Sequence, residues 1–283
     1  MPNRLPSLVK LVLSLAIALS SAAGYIFYSH TITSGLLFCI AGVFLLSAGA
    51  AALNQYQERE QDALMERTRN RPIPSGDITP RQALATAVIL AVSGTLILWT
   101  GSGWLPALLG TGNLAWYNGL YTPMKRRSHF AVLAGALNGA VPPAIGWTAA
   151  GGSLIDPEIL FLAFFIYIWQ IPHFWLLLMM YGDDYRKAGF RTVTDRISKD
   201  LQPGVIMAWI LATAFSTLFL PYFGIIGSKV MVALIITSTV MMVAVMSVFL
   251  FRKGLREDYR RAFIAFNIFM LATFLMVIAD QFV

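Results

Sequence analysis

The stretch that decides the fold runs from residue 34 to residue 62, SGLLFCIAGVFLLSAGAAALNQYQEREQD. Its first part, 34–53, carries no charge, and about 20 apolar residues are enough for a helix to cross the hydrocarbon core of a bilayer. The residues that follow, 54–62, are polar or charged except for Tyr56, and no Gly or Pro occurs before Pro72. The sequence therefore predicts a membrane-spanning helix that continues beyond the bilayer as an acidic helix.

The whole chain has the composition of a membrane protein. Of its 283 residues 57% are hydrophobic and 12% are charged, whereas soluble domains carry about 25% charged residues. This composition excludes a soluble domain. The net charge of +7 does not call for nucleic acid, because basic loops on the cytoplasmic face of a membrane explain the same excess. The single cysteine, Cys39, excludes an intrachain disulfide and a cysteine-based metal site.

Apolar runs of spanning length recur along the chain, separated by short polar or Gly- and Pro-marked breaks. They predict an all-α polytopic membrane protein, a single transmembrane domain over 1–283 built as a bundle of nine helices. The predicted spans lie near residues 8–28, 34–53, 83–101, 104–121, 130–150, 157–181, 204–224, 229–251 and 261–282.

The distribution of basic residues predicts the orientation. With the N-terminus in the cytoplasm, 20 of the 21 Lys and Arg residues fall on the cytoplasmic side and only Lys229 falls outside, which agrees with the positive-inside rule. The C-terminus then lies outside, and the bacterial inner membrane is the default location. A cleaved signal peptide ending near Ala23 is an alternative that would leave eight spans.

Acidic residues are concentrated on the same face. Eleven of the 14 Asp and Glu residues lie on the predicted cytoplasmic side, mainly in the loops 54–82 and 182–203. The positive-inside rule does not require this asymmetry. Carboxylates clustered beside a bilayer indicate a bound cation.

Three oxygen-bearing side chains of the first acidic loop share a helical spacing. Asn54, Glu58 and Asp62 stand at i, i+4 and i+8 and form one stripe if the helix continues. Mg²⁺ usually takes one or two protein carboxylates together with water and substrate phosphate. The arginines that follow, whose guanidinium groups suit phosphate, are Arg67, Arg69 and Arg71. A solvated loop with internal salt bridges is the alternative that spacing alone leaves open.

These residues carry a family resemblance. Asn54-x3-Glu58-x3-Asp62 resembles the Asn-x3-Asp-x3-Asp motif of the UbiA-type intramembrane prenyltransferases, and Met65-x-Arg67-Thr68-x-x-Arg71-Pro72 is similar to the signature of their protoheme IX farnesyltransferase (haem O synthase) branch. The chain departs from the pattern in Glu58 and Glu60, where most members have Asp. The resemblance implies Asn54, Glu58 and Asp62 as metal ligands and Arg67 and Arg71 as diphosphate contacts.

The end of the fourth predicted span carries a second element of that family. Tyr121 and Lys125 match its Tyr-x3-Lys pattern, in which the tyrosine faces the ionising allylic carbon and the lysine faces the diphosphate, with Arg126 beside it. A topological anchor is the alternative interpretation of these basic residues. Pro123 predicts that the helix stops here. In the next span Gly135, Gly139 and Gly146 resemble a family stretch to which we assign helix packing.

The sixth predicted span contains polar residues within an apolar run. Trp169-Gln170-Ile171-Pro172-His173-Phe174 resembles the stretch most characteristic of the haem O synthases, which implies that Trp169, Gln170 and His173 contact the haem acceptor. Whether His173 ligates iron or hydrogen-bonds a propionate or diphosphate stays open. Asp183 and Asp184 follow within an Asp-Tyr-x-x-Ala-Gly element, and one of them is expected to face a second metal.

The resemblance implies a specific reaction. Farnesyl diphosphate is the donor, the vinyl group of haem b is the acceptor, Mg²⁺ is the cofactor, and added water completes the hydroxyethylfarnesyl group of haem O. The implied partners are haem A synthase or terminal oxidase assembly factors, together with the lipid bilayer. A prenyltransferase for a quinone precursor or a chlorophyll-like acceptor is the alternative. A transporter ranks third, because mid-membrane charges and inverted repeats are not evident in the sequence.

Overall fold

The computed structural model describes residues 4–252 and 256–282, and this part of the chain is helical and contains no strand. The helices are α1 (Arg4–Leu8), α2 (Leu11–Ser29), α3 (Ser34–Gln57), α4 (Arg59–Leu64), α5 (Pro80–Ser102), α6 (Trp104–Ala115), α7 (Thr122–Arg127), α8 (Ala131–Ala149), α9 (Pro157–Lys187), α10 (Gln202–Thr217), α11 (Lys229–Phe251) and α12 (Arg256–Asp280). A π-helical segment (Trp116–Tyr121) joins α6 to α7, and a short 3₁₀ turn (Val193–Asp195) precedes α10. The all-α prediction is confirmed.

Six helices within the described ranges are long and apolar enough to cross a membrane, namely α2, α3, α5, α9, α11 and α12. The other three predicted spans fall on α6 with its π-helical extension, on α8 and on α10. α10 ends at Thr217, so the predicted span over 204–224 is too long. The chain turns instead around Pro221, which lacks an N–H donor, and Gly224, whose φ is 66°.

The helices pack in a closed arrangement. α3 lies between α5 and α2, α2 packs against α8, and α8 packs against α9, which contacts α10 and α12. The predicted packing role of Gly146 is confirmed, because a Cβ there would lie 1.7 Å from the Ser21 carbonyl oxygen of α2. Gly24 of α2 approaches α8 in the same way, since its Cβ would lie 2.0 Å from the Pro143 carbonyl oxygen. Glycine therefore sets the distance between α2 and α8.

The helix does not stop at Pro123, contrary to the sequence prediction. The Thr122 N–H bonds to the Tyr117 carbonyl in the wider π pattern, and α7 continues to Arg127. Pro123 cannot donate the next hydrogen bond of this pattern, and the carbonyl of Asn118 accepts one from Gln57 Nε2 at 3.0 Å instead. A side chain of α3 thus satisfies the group that proline leaves unpaired, and the helix carries Lys125 onward.

Candidate active site

A cavity of about 600 Å³ lies inside the bundle, within the size range of small-molecule sites. It is lined by helices α2, α3, α4, α6, α7, α8, α9 and α12, by the π-helical segment, and by the segments that follow α4 and α9. The sequence-predicted site residues that line it are Asn54, Glu58, Asp62, Arg67, Arg71, Tyr121, Lys125, Trp169, Gln170 and His173. Most of the predicted site is therefore brought together in one place.

The predicted acidic stripe forms the wall at one end. Glu58 separates α3 from α4, but the hydrogen bonds from Glu58 N to Asn54 O (2.9 Å) and from Asp62 N to Glu58 O (2.7 Å) continue across it. Asn54, Glu58 and Asp62 are all buried and line the same cavity. The chain thus keeps the i, i+4 and i+8 register that places three oxygen-bearing side chains on one face.

Each member of the stripe has a partner. Lys125 Nζ lies 2.5 Å from Glu58 Oε1, and Arg71 Nη1 lies 2.8 Å from each carboxylate oxygen of Asp62. Lys10 Nζ donates to Asn54 Oδ1 at 3.3 Å. Buried carboxylates need such partners, because an unpaired buried charge is costly. This wall therefore holds opposite charges side by side where a diphosphate and a metal ion would both find complementary groups.

Tyr121 and Lys125 lie next to each other. They stand at i and i+4 across the junction with α7, and Lys125 Nζ lies 5.1 Å from the centroid of the Tyr121 ring. Burial lowers the pKa of Lys125, but the Glu58 carboxylate and the neighbouring tyrosines together outweigh this effect, and the pKa lies above its ordinary value. Lys125 is therefore a cation that lies against both a carboxylate and an aromatic ring.

Three predicted site residues do not line the cavity. Arg126 is exposed because it lies one residue, about 100° of helix rotation, from Lys125. The Asp183 side chain is 83% exposed and pairs with Arg186 on the outer surface of α9. Asp184 lies nearer, since its carboxylate accepts the Arg67 backbone N–H at 3.4 Å. Of the two aspartates, the structure places only Asp184 beside the segment that lines the cavity.

The donor set of the stripe fits a Mg²⁺ ion that is shared with a substrate. In residues 4–252 and 256–282 no group of three or more His, Cys, Asp or Glu side chains is placed to hold a metal. Mg²⁺ commonly binds through one or two carboxylates plus phosphate oxygens and water. Glu58 and Asp62 supply two carboxylates, and Asn54 supplies an amide oxygen.

The deeper part of the cavity is uncharged, and its mainly apolar wall carries a few polar side chains. His173 is packed among aromatic rings, with centroid distances of 4.9 Å to Trp169 and 4.9 Å to Phe263. Among the residues that the structure describes, His173 Nδ1 and Trp169 Nε1 are buried atoms without a hydrogen-bond partner. Their polar atoms are thus available to a molecule in the cavity.

Two glycines of α8, to which the sequence assigns helix packing, lie against side chains of the predicted site. A Cβ at Gly135 would lie 2.6 Å from Cε2 of Tyr121, and one at Gly139 would lie 1.6 Å from Nε2 of Gln170. Both positions therefore make room for a side chain of the predicted site. The sequence did not distinguish them from Gly146, because all three are small residues on one helix.

Sequence reasoning missed several residues of the site. Lys10 was counted only as an orientation charge, yet it lines the charged end of the cavity. Asn113, Asn138 and Asn267 line the deeper part. A polar residue within an apolar span was the available signal for the asparagines, but Lys10 lies at a span end, where a basic residue is ordinary.

A segment after α9 covers the charged end. The Arg191 N–H donates to the Lys125 carbonyl at 3.0 Å, and His129 Nδ1 lies 3.0 Å from the Thr192 carbonyl oxygen. Phe190 is buried with its ring centroid 5.5 Å from Lys125 Nζ. This segment therefore fixes the end of α7 and shields Lys125.

The helical bundle and its charged, membrane-embedded cavity are those expected of an intramembrane prenyltransferase. The sequence profile of the UbiA prenyltransferase family matches residues 11–274, and the chain belongs to this family.

Relatives of known name and structure agree with this assignment. A protoheme IX farnesyltransferase of Geobacter sulfurreducens is 44% identical over 219 residues, 77% of this chain and 80% of the relative. Another, from Oleidesulfovibrio alaskensis, is 34% identical over 268 residues, 94% of this chain and 92% of the relative. The solved structure of a UbiA homologue from Archaeoglobus fulgidus bound to DMAPP and Mg²⁺ shares the fold, with a TM-score of 0.76, 14% identity and 99% of each chain covered.

Proposed function

We propose that this chain is a protoheme IX farnesyltransferase, which transfers the farnesyl group of farnesyl diphosphate to the vinyl group of haem b and adds water to give haem O. The observation that carries the proposal is the division of one cavity into a charged end and an uncharged polar and aromatic part. The names of the relatives described above support the choice of donor and acceptor.

The charged end suits the diphosphate. Lys125, Arg67 and Arg71 provide cations that stabilise the departing anion. When bound at Asn54, Glu58 and Asp62, Mg²⁺ would neutralise charge on the diphosphate oxygens. Arg126, which the sequence also predicts as a contact, would need to turn inward from its exposed position.

Tyr121 suits the carbon from which the diphosphate departs. Its ring is buried, lines the cavity and lies beside Lys125. An aromatic face stabilises a developing allylic cation, while the ammonium group attracts the anion on the other side of the breaking bond. The close fit of Gly135 against this ring holds the ring in place.

The acceptor is assigned to the deeper part. Trp169, Gln170 and His173 line one side of it on α9. Aromatic surfaces suit a porphyrin plane, and the unpaired Nδ1 of His173 is free to contact iron or a propionate. These polar groups favour an acceptor that has polar groups of its own, because a purely hydrocarbon ligand would leave them unsatisfied.

The membrane arrangement completes the proposal. One transmembrane domain of nine spans has its N-terminus in the cytoplasm and its C-terminus outside, in the inner membrane of a bacterium. The distribution of the basic residues supports this orientation. Asp184 is the candidate for a second metal contact, and haem A synthase or oxidase assembly factors are the candidate partners.

The test is a defined reaction. The purified protein is incubated with Mg²⁺, haem b and farnesyl diphosphate, and the products are identified by mass. We expect haem O, and no product when Mg²⁺ is chelated. Diphosphate release without alkylated haem, or alkylation of an aromatic acid in preference to haem, would move the protein to another acceptor class.

A further inference from the structure

Two amide side chains on neighbouring helices lie close together in the deeper part of the cavity. Asn113 is on α6 and Asn138 is on α8, and both line the cavity wall. Asn113 Nδ2 donates to the Asn138 backbone carbonyl at 3.2 Å, and Asn138 Nδ2 donates to the Gly135 backbone carbonyl at 3.2 Å. Because each amide nitrogen is anchored to a carbonyl, the orientation of each side chain is fixed.

The amide oxygens are left without partners. Asn113 Oδ1 and Asn138 Oδ1 are both buried, and neither accepts a hydrogen bond from the described residues of the chain. A carbonyl oxygen can only accept hydrogen bonds. Ionised diphosphate and propionate groups also only accept, so they are poor partners for this pair. A small molecule that donates two hydrogen bonds is the fitting partner, and the proposed reaction consumes one such molecule, water.

The position of the pair matches the point where water is needed. Asn138 follows Gly135, which contacts the Tyr121 ring, by about one helical turn. It precedes Gly139, which contacts Gln170 on the acceptor side. Along α8, Asn138 therefore lies between a glycine that contacts the side chain assigned to the ionising carbon and a glycine that contacts a side chain assigned to the haem.

We propose that Asn113 and Asn138 hold the water molecule that completes the hydroxyethylfarnesyl group. This inference rests on the proposed function and assigns the residues that direct its last step. Water that donates both hydrogens to the two amide oxygens presents its lone pairs to the cavity. The water is thereby held in position to attack as a nucleophile, and the step needs no further molecule to enter the cavity.

The bond between farnesyl C1 and the diphosphate oxygen breaks, and its electron pair leaves with the diphosphate. The vinyl π pair forms a bond from the terminal vinyl carbon to C1, which leaves a cation at the carbon attached to the porphyrin. A lone pair of the held water forms the C–O bond to that carbon, and the released diphosphate accepts the proton.

Without the held water the same cation has a competing outcome. It loses a proton from the neighbouring CH₂ group to the diphosphate, and the product is an alkene that is lighter than haem O by one water. The ratio of hydroxylated to dehydrated product therefore reports on the water site. The ratio is measured within the product formed, so a smaller amount of folded enzyme lowers the yield without changing the ratio.

The experiment compares Asn113→Leu and Asn138→Leu with the unaltered enzyme, using haem b, farnesyl diphosphate and Mg²⁺ in heavy-oxygen water. We expect the hydroxyl of haem O to carry the label, and the ratio to fall by about tenfold in each variant, because each loses one hydrogen bond to the water. Asn138→Ser keeps an oxygen acceptor and should recover part of the hydroxylated product. It replaces the Leu variant in the comparison if the Leu variant does not fold.

Thr213→Val is the control, since Thr213 is a fully buried polar side chain of α10 that lies outside the cavity wall. Its ratio should equal that of the unaltered enzyme. An unchanged ratio in both Leu variants, with haem O still formed, would overturn this inference and leave the proposed function intact. Failure of the unaltered enzyme to form either farnesylated haem would overturn both.

Discussion

The two parts of the cavity differ in whether their buried polar groups have partners within the protein. At the charged end, Glu58 and Asp62 are matched within the protein by Lys125 and Arg71. In the deeper part, His173 and other uncharged groups keep buried atoms without a partner in the described chain. A charge is too costly to leave unpaired in a membrane, whereas a neutral polar atom is tolerable. The charged end is thus preorganised by the protein, and the deeper part is completed by its ligand.

Among the variants that test this comparison, Asp62→Asn has the largest expected effect. The change removes a fully buried carboxylate, leaves Arg71 without its partner and takes away a proposed Mg²⁺ ligand. We expect turnover to fall by about a thousandfold. Glu60→Gln is the control, because the Glu60 side chain on the same helix is 76% exposed. Equal activity of the two variants would contradict the metal site.

Lys125→Gln should have the next largest effect. It removes the cation between Glu58 and the Tyr121 ring, so we expect kcat to fall by about a hundredfold. Lys125→Arg keeps the charge and should recover part of the rate. The measurement is single-turnover release of diphosphate at saturating farnesyl diphosphate. A change confined to KM would show that Lys125 contributes only to substrate binding.

His173→Ala tests the deeper part. Loss of the unpaired nitrogen should weaken haem b binding by about tenfold, while the KM for farnesyl diphosphate stays the same. Haem binding is followed by its absorption spectrum. An unchanged haem affinity and rate would reduce His173 to a packing residue among Trp169 and Phe263.

Lys10→Gln should have the smallest effect. Lys10 bonds to the neutral Asn54 side chain rather than to a carboxylate, so its removal leaves no buried charge unpaired. We expect the KM for farnesyl diphosphate to rise about fivefold at unchanged kcat. Arg4→Gln is the control, since Arg4 pairs with Asp77 at the surface. A fall in kcat comparable to that of the Lys125 variant would place Lys10 in the reaction itself.

Much of the architecture was predictable because spans and charges follow strong physical rules. The helix over 229–251 was predicted at its observed bounds, and the acidic stripe has the predicted register. Both depend on local periodicity and bilayer thickness.

Features that depend on contacts between distant elements were not predictable. The continuation past Pro123 depends on a hydrogen bond from Gln57, a side chain on a different helix. The outward position of Asp183 depends on which face of α9 packs into the bundle, and spacing along the chain does not fix that face. The outward position of Arg126 depends on the direction in which its neighbour Lys125 points, which the π-helical segment before α7 sets. The predicted roles of Arg126 and Asp183 as diphosphate and metal contacts stay predictions.

The π-helical segment over Trp116–Tyr121 has a further consequence. A π turn holds one residue more than an α turn, so it amounts to an insertion that rotates everything after it by about 100°. Tyr121 and Lys125 keep their mutual spacing but face a direction set by that extra residue. Removing one residue from the segment would leave the span apolar and the Tyr-x3-Lys pattern intact in the sequence. It would nevertheless turn both side chains away from Glu58. A sequence can thus retain its whole motif and lose its site by a change in length alone.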